Sequence, residues 1–570
     1  MTVEDTNLRS EVVHCIGRGS MGGKAQGLVD IQAVLRSRLD FAEYPGIAID
    51  IPEMSVLCTD IFTHFMEQNN LARVACSDLP DERIANAFLK ADLPFETLGA
   101  LRGLIDRVHT PLAIRSSSLL EDAEREPFAG VYETKMIPNS IYDPDVRFRQ
   151  MVEAIKLVYA STFFKAAKDY RRAIGRRVED EKMAVIIQEV IGKRTLDRFY
   201  PELSGAARSF NYYPMGAARP EQGVVSLALG LGKTIVDGGR SWTYSPAFPK
   251  VGPPFGSTKE LLTRTQTDFW AVNMGEPKVY DPTRETEYLV RESLTAAEKD
   301  GSLTYLVSTY DPQSDRLTIG AGSKGPRALT FAPLLVLRTA PLNELVSALL
   351  RICAEAMGGP VEIEFAMTFN PHRFGFLQVR RMAVSIEEME VHEAGMVGER
   401  VLAASATALG NGSLDHIADI VYMRPEAFEL RHTLAIVPEL KQLNKKLLDQ
   451  SRPYLLIALG RLGTTDPWLG VPIQWADVCG AKAVIEAAQE KARVELSQGS
   501  HYFHNILNLG VKYFLLPFTS PYQIDWAWLD GQEAAEETRF LRHVRLAQPL
   551  AVRVDGRTSR GVILKPEGEL

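Results

Sequence analysis

The stretch Val361 to Arg381, VEIEFAMTFNPHRFGFLQVRR, constrains the fold of this chain more than any other. Val361, Ile363 and Phe365 alternate with Glu362 and Glu364, the period of a β-strand with both carboxylates on one face. After a turn containing Asn-Pro, Phe376, Gln378 and Arg380 alternate with Leu377 and Val379 on a second strand. Paired as a hairpin, the two strands bring Glu362, Glu364, Gln378 and Arg380 to one face, with cross-strand neighbours about 5 Å apart. Two carboxylates so placed can hold a hard divalent cation, and a fixed guanidinium can neutralise a phosphate beside it. An amide there can bond a base or a sugar. The same pattern also describes an exposed Glu/Arg ladder on an ordinary hairpin. The hairpin alone does not choose between them.

The rest of the chain narrows the choice. At 570 residues it is too long for one core, so two to four domains are expected. A net charge of -8 argues against nonspecific binding to nucleic acid or to an anionic membrane. The five cysteines, Cys15, Cys58, Cys76, Cys353 and Cys479, are scattered and form no CxxC, so neither a disulfide framework nor a thiolate zinc site is indicated. Acidic residues near the start and the lack of an apolar run there do not fit a signal peptide. No apolar run of ~18 residues occurs. A cytoplasmic location is the expectation.

Val12 to Ile16 reads as a strand, followed by GRGSMGGKAQGL and a helix with Leu28, Ile31 and Leu35 on one face. Strand, glycine turn and helix start together aim backbone N–H groups at an anion. A P-loop would need Gly at position 18 and Ser or Thr at position 25, where this chain has Arg18 and Ala25. Gly17, Gly19 and Gly22 spell GxGxxG, but no acid-tipped second strand follows at the Rossmann distance. What remains is a flexible turn delivering Lys24 toward a phosphate, or a solvated lysine at a helix start. Helices are expected near 60–70, 81–90 and 96–107.

From Pro111 the chain reads PLAIRSSSLLEDAEREPFAGVYETK. Leu112 to Ile114 is a buried-strand candidate ending at Arg115, where a guanidinium can be held rigidly as a phosphate clamp. Ser116 to Ser118 and the turn at Gly130 offer hydroxyl and backbone donors. A polar loop with a helix-capping serine is the alternative.

Taken together, GGKAQGL, IRSSSLLEDAEREPFAGVYET, VEIEF and LQVRR resemble the ATP-binding domain of the phosphoenolpyruvate synthase and pyruvate phosphate dikinase family, a domain also found in rifampin phosphotransferase and glucan water dikinase. ASTFFKAAKDYRRAIG, MAVIIQEVI, SGAARSFNYYP and ALGLGKTIVDGG extend the likeness, in the family's order, over about residues 12 to 385. The resemblance implies an ATP-grasp-like nucleotide-binding domain in two lobes, 1–195 and 196–385; the residues after it read as an acidic, helical linker, 386–450, and a smaller mixed α/β domain, 451–570, so that an α/β (α+β) chain is expected. It implies that Lys24 and Arg115 contact ATP phosphates, with Gly22, Gly23, Ser116 and Gly130 around them. It places Mg2+ on Glu362 and Glu364, and nucleotide and phosphate contacts on Gln378 and Arg380. Three departures stand out: Glu362 where the family usually has Asp, Lys233 where its GLGE has a carboxylate, and Arg381 where it has proline. Lys233 should raise the positive charge near the phosphates.

The full dikinases add a phosphohistidine domain and a barrel that binds pyruvate or phosphoenolpyruvate. None of the ten histidines here lies in a Gly-Gly-Thr-Ser-His context, and about 190 residues after the ATP domain are too few for a barrel of ~250. Complete phosphoenolpyruvate synthesis would need a partner. Tyr454 to Leu459 and Ala481 to Ala487 read as strands, and Leu550 to Pro566 as a hairpin around DGRTSRG. The segments GRLGTTDPWLGVP and SQGSHYFHN are similar to tails on bacterial proteins known by their PEP/pyruvate-binding-like ATP domain. Arg461, Asp466, His501 and His504 are the polar candidates there, as phosphoryl acceptors or proton carriers, or as structural side chains. Two functions follow: an ATP-dependent phosphotransferase acting on a small molecule or on a histidine of another protein, or a nucleotide-responsive regulator without turnover. An oligomer is compatible with either.

Overall fold

The computed structural model of the chain describes residues 13–118, 131–173, 176–211, 217–253, 257–277, 279–382, 389–464, 470–488, 511–556 and 558–566. The chain divides into two compact units, the first running to Met382 and the second holding Ala383–Leu570 together with Val236–Gly239.

Two sheets dominate the first unit. Strands β1 (Val13–Ile16), β2 (Ile47–Asp50), β3 (Met54–Leu57), β4 (Leu112–Ser118), β5 (Thr134–Ile137) and β6 (Met183–Glu189) come first in the chain. β7 (Leu203–Arg208), β8 (Val224–Ala228), β9 (Trp242–Tyr244), β10 (Val361–Thr368) and β11 (His372–Arg381) follow. A five-stranded sheet has the order β1-β3-β6-β4-β5, and a six-stranded sheet the order β9-β8-β7-β10-β11-β2. β2 thus leaves its sequence neighbours and pairs in parallel with β11, Ile47 opposite His372. The helices expected near 60–70, 81–90 and 96–107 are α2 (Thr59–Gln68), α3 (Asp81–Lys90) and α4 (Phe95–Arg107), after α1 (Gly22–Arg38).

The six-stranded sheet has one apolar face. Ala207, Val225, Leu227, Ile363, Phe365 and Val379 join a continuous core with Leu28, Ile31 and Leu35 of α1 and with Leu345, Val346 and Leu349 of α5 (Leu342–Met357). Fully burying each of the larger of these side chains stabilises the fold by about 1.5–3 kcal/mol, so the alternation in these strands has one acceptable sense. A one-residue slip would turn the polar set inward.

The second unit is built on a nine-stranded sheet. Its strands are β12 (Val401–Ser405), β13 (Ala408–Leu409), β14 (Gly412–Met423), β15 (Tyr454–Leu459), β16 (Ala481–Ala487), β17 (Lys512–Leu516), β18 (Ala534–Glu537), β19 (Leu541–Asp555) and β20 (Arg560–Leu564). Their order is β12-β20-β19-β14-β15-β16-β17-β13, with β18 also on β19. β14 to β17 are mutually parallel. The stretch 386–450 is therefore no helical linker. It supplies β12, β13 and β14, and then α6 (Thr433–Asp449), to the same unit as the residues that follow. Likewise, the boundary drawn at 195/196 falls inside a hairpin that pairs Thr195 with Arg198.

Among the described residues no helix is long and apolar enough to cross a membrane. All five cysteines are free thiols.

Candidate functional site

Strands β10 and β11 pair with Glu362 opposite Arg380 and Glu364 opposite Gln378, the register that the alternation predicts. On the other side of β10, Arg208 of β7 stands opposite Glu362, and Ala206 opposite Glu364. Three adjacent strands therefore carry a row of arginine, glutamate and arginine. Arg380 donates to Glu362 Oε1 from both Nε (3.1 Å) and Nη2 (2.6 Å), and Arg208 Nε donates to Oε2 at 2.5 Å. Glu362 is only 2% exposed. Burying an isolated carboxylate costs several kcal/mol, and this geometry supplies the charged, partly bidentate partners that offset it.

Arg115 reaches the same hairpin from the other sheet. β4 continues through the three serines instead of ending at Arg115. The Arg115 guanidinium donates from Nη2 to Gln378 Oε1 (2.6 Å), and from Nη1 to the Leu377 carbonyl (3.2 Å) and Gln188 Oε1 (3.3 Å). Glu364 Oε2 stands 3.7 Å from its Nη2, with the Glu364 side chain 28% exposed. One arginine thus ties β4 and β6 to β11.

The glycine turn is anchored differently from expectation. The amides of Arg18 and Gly19 donate to the two carboxylate oxygens of Asp60 (2.8 and 2.9 Å), and that of Ser20 to Thr59 Oγ1 (3.0 Å). Those amides do bind an anion, but it is a side chain at the start of α2. Burial pushes the Asp60 carboxyl up, and the amides outweigh it, leaving the group below its ordinary range. At Gly22, with φ of +76°, a Cβ would lie 1.7 Å from the Ser117 carbonyl oxygen, so only glycine permits this approach of the turn to β4. Ser117 Oγ completes the latch, donating to the Met21 carbonyl (2.9 Å) and accepting from the Ala25 amide (3.2 Å). Gly23 follows in the first turn of α1. Lys24 Nζ donates to Ser116 Oγ at 3.4 Å, within β4 and next in sequence to Arg115. A recess of about 330 Å³ beside the turn is lined by Gly19, Asp60, His64 and Lys182 among others, and by none of the hairpin residues.

Lys233, expected to add positive charge, has a carboxylate partner: its Nζ lies 3.1 Å from Glu285 Oε2. The departure from the family pattern is thus locally neutralised. Among the described residues no three His, Cys, Asp or Glu side chains gather where they could hold a metal ion. In the second unit Arg461 follows β15 and donates to the Gly238 carbonyl (3.1 Å). Gly130, Asp466, His501 and His504 lie outside the described residues.

Residues 18–400 match the family described as Pyruvate phosphate dikinase, AMP/ATP-binding domain. The chain belongs to this family. Its first unit is accordingly an α/β, ATP-grasp-like nucleotide-binding domain. More distant likeness is found to the "Uncharacterized phosphotransferase YvkC" of Bacillus subtilis, 25% identical over 33% of this chain and 20% of that protein. A "Probable phosphoenolpyruvate synthase" of Archaeoglobus fulgidus is 29% identical over 27% of this chain and 18% of the relative. The "Phosphoenolpyruvate synthase" of Aeropyrum pernix is 25% identical over 38% of the chain and 25% of the relative. The chain thus spans a quarter or less of the length of these relatives. The family match stops at residue 400, so all nine strands of the second unit's sheet lie beyond it.

Two residues of the site escaped the sequence reading. Arg208 sits in the quoted SGAARSF segment, but its place opposite Glu362 depends on a pairing between strands more than 150 residues apart. Asp60 gives no local sign that it closes a turn at Arg18 and Gly19.

Proposed function

We propose that the first unit binds ATP with Mg2+ against the polar face of β10 and β11 and transfers a phosphoryl group from it. The observation that supports this reading is the meeting of Arg115, Gln378 and Glu364, brought from separate sheets to one place on that face. Lys24, Arg115 and Arg380 would stabilise charge on the transferring group, and Gln378 would bond the nucleotide. Phosphoryl transfer depends mainly on positioning and electrostatics, so no covalent protein nucleophile is required.

The donor set fits a magnesium ion of the usual nucleotide kind, held by one or two carboxylates with phosphate oxygens and water completing its shell. Glu364 would hold the ion, which when bound supplies charge neutralisation across the phosphates. The chain's own part is to fix the guanidinium groups and to close the apolar side of the sheet to water. The acceptor would be a small molecule or a histidine on another protein.

A regulator that binds nucleotide without turnover is the second reading, favoured by Lys233 where the family has a carboxylate. Incubation with labelled ATP and Mg2+, alone and in cell extract, separates the two. AMP with phosphate would mark dikinase-like chemistry, ADP a simpler kinase, and binding without product the regulator. Where turnover is seen, Arg115→Ala is expected to lower it by about two to four orders of magnitude. Absence of any nucleotide binding overturns both readings.

A further inference from the structure

We propose that Glu362 is an arginine-positioning residue and not a metal ligand. It aligns Arg208 and Arg380 as a paired phosphate clamp and leaves a divalent cation to Glu364. This deepens the nucleotide-binding reading and rests on it.

Both Glu362 oxygens already accept guanidinium protons, Oε1 from Arg380 through two bonds and Oε2 from Arg208 through one. Magnesium needs oxygen ligands at about 2.0–2.1 Å in near-octahedral geometry. To bind Glu362 so closely, the ion would have to expel one of these guanidinium groups, all three partners being less than a tenth exposed. The ion would also stand against two like charges at short range in a poorly solvated place. Glu364, two residues along the same face, differs in each respect. Its side chain is 28% exposed, and the Arg115 guanidinium lies 3.7 Å away, beyond ordinary hydrogen-bond length.

The charges on this face support the clamp. Arg115, Arg208 and Arg380 are three cations against the two carboxylates Glu362 and Glu364, a balance that favours a polyanion. A planar guanidinium held along one edge by a carboxylate is preorganised to meet a second anion, and phosphate matches its fork. Arg208 is the element that decides the arrangement.

The test uses the full chain, a non-hydrolysable ATP analogue and Mn2+ as a paramagnetic stand-in for Mg2+. Nucleotide affinity is measured with Mn2+ and in EDTA, and the bound ion is followed by electron paramagnetic resonance. Glu364→Gln is expected to abolish the gain in affinity that Mn2+ brings and the change in its spectrum on binding protein. Arg208→Met and Glu362→Gln are expected to weaken nucleotide binding about tenfold or more in EDTA as well as with Mn2+, while the spectrum of bound ion is retained. Arg208→Lys should recover part of the loss. Because Arg208→Met takes a charged partner from a buried carboxylate, the double variant Glu362→Gln/Arg208→Met serves as the folded counterpart, with the same expected loss. The proposal is overturned if Glu362→Gln removes the Mn2+ signal with EDTA affinity held within about threefold. It is equally overturned if both Arg208 variants and the double variant bind as the wild type does. A wild-type chain that binds no nucleotide in either condition would instead sink the functional reading itself.

Discussion

Glu362 in the first unit and Glu486 in the second are both carboxyl groups set in the interior of a sheet and closed to solvent, at 2% and 0% exposure. Their surroundings are opposite. Glu362 lies between two arginines that bond both its oxygens. Glu486, near the end of β16, accepts one bond from the Leu462 amide (3.0 Å), and among the described residues its Oε2 lacks a hydrogen bond of ordinary geometry. Burial pushes the Glu486 carboxyl up to about 7, against the opposing influence of the Tyr513 hydroxyl, the Leu462 amide and Arg461. In the same sheet Asp419 goes the other way: burial is outweighed by His543 (2.8 Å), Arg452 (2.6 Å) and Arg545 (3.2 Å), and its carboxyl falls to about 2. Depth alone does not settle the charge of a buried acid. Its partners do.

The contrast can be broken most forcefully at Arg380. Arg380→Met leaves Glu362 buried with Arg208 as its remaining partner in the row, and should lower stability by about 3–5 kcal/mol in urea unfolding of the first unit. A loss below about 1 kcal/mol would mean the row contributes little.

Glu486 gives a somewhat smaller effect with a defined sign. Its folded-state value is raised from 4.5 to about 7, so the folded chain keeps the proton where the unfolded chain releases it. Stability should fall as pH rises from about 4.5 to about 7, by on the order of 3 kcal/mol, and then level off. Glu486→Gln should lack that decline, so its advantage over wild type should grow across the window. Hydrogen exchange at the Leu455 to Leu459 amides reads it locally. A difference independent of pH would contradict the assignment.

Asp419 sharpens the comparison from the other side, with the smallest effect. Its value is lowered from 3.8 to about 2, so its contribution is fully present above pH 3.8 and disappears as pH falls toward 2. The size is on the order of 2 kcal/mol. Asp419→Asn should be uniformly weaker near neutral pH and lose less on acidification, as measured by exchange at Ile420 and Val421.

Local pattern carried far in this molecule where neighbours in sequence are neighbours in space. The register of β10 with β11, the buried stripe of α1 and the start of β4 at Leu112 were all legible, because alternation and helical period act within a few residues. Partners that arrive from elsewhere left no trace. Arg208 opposite Glu362, Asp60 beneath the glycine turn and Glu285 against Lys233 depend on how distant segments meet. The acidic stretch after residue 386 was misread for a related reason. β14 takes its place through parallel pairing with β15 and antiparallel pairing with β19, more than a hundred residues later.

The two strands at one end of the nine-stranded sheet set a timetable for the nascent chain. β12 aligns Val401 with Leu564 of β20, so an early strand waits for one made last in this unit. At about 5–20 residues per second, the ribosome would leave β12 without that neighbour for roughly ten seconds or more. A polypeptide stalled before residue 560 would offer the backbone edge of Val401–Ser405 to any strand it met, and aggregation should begin there.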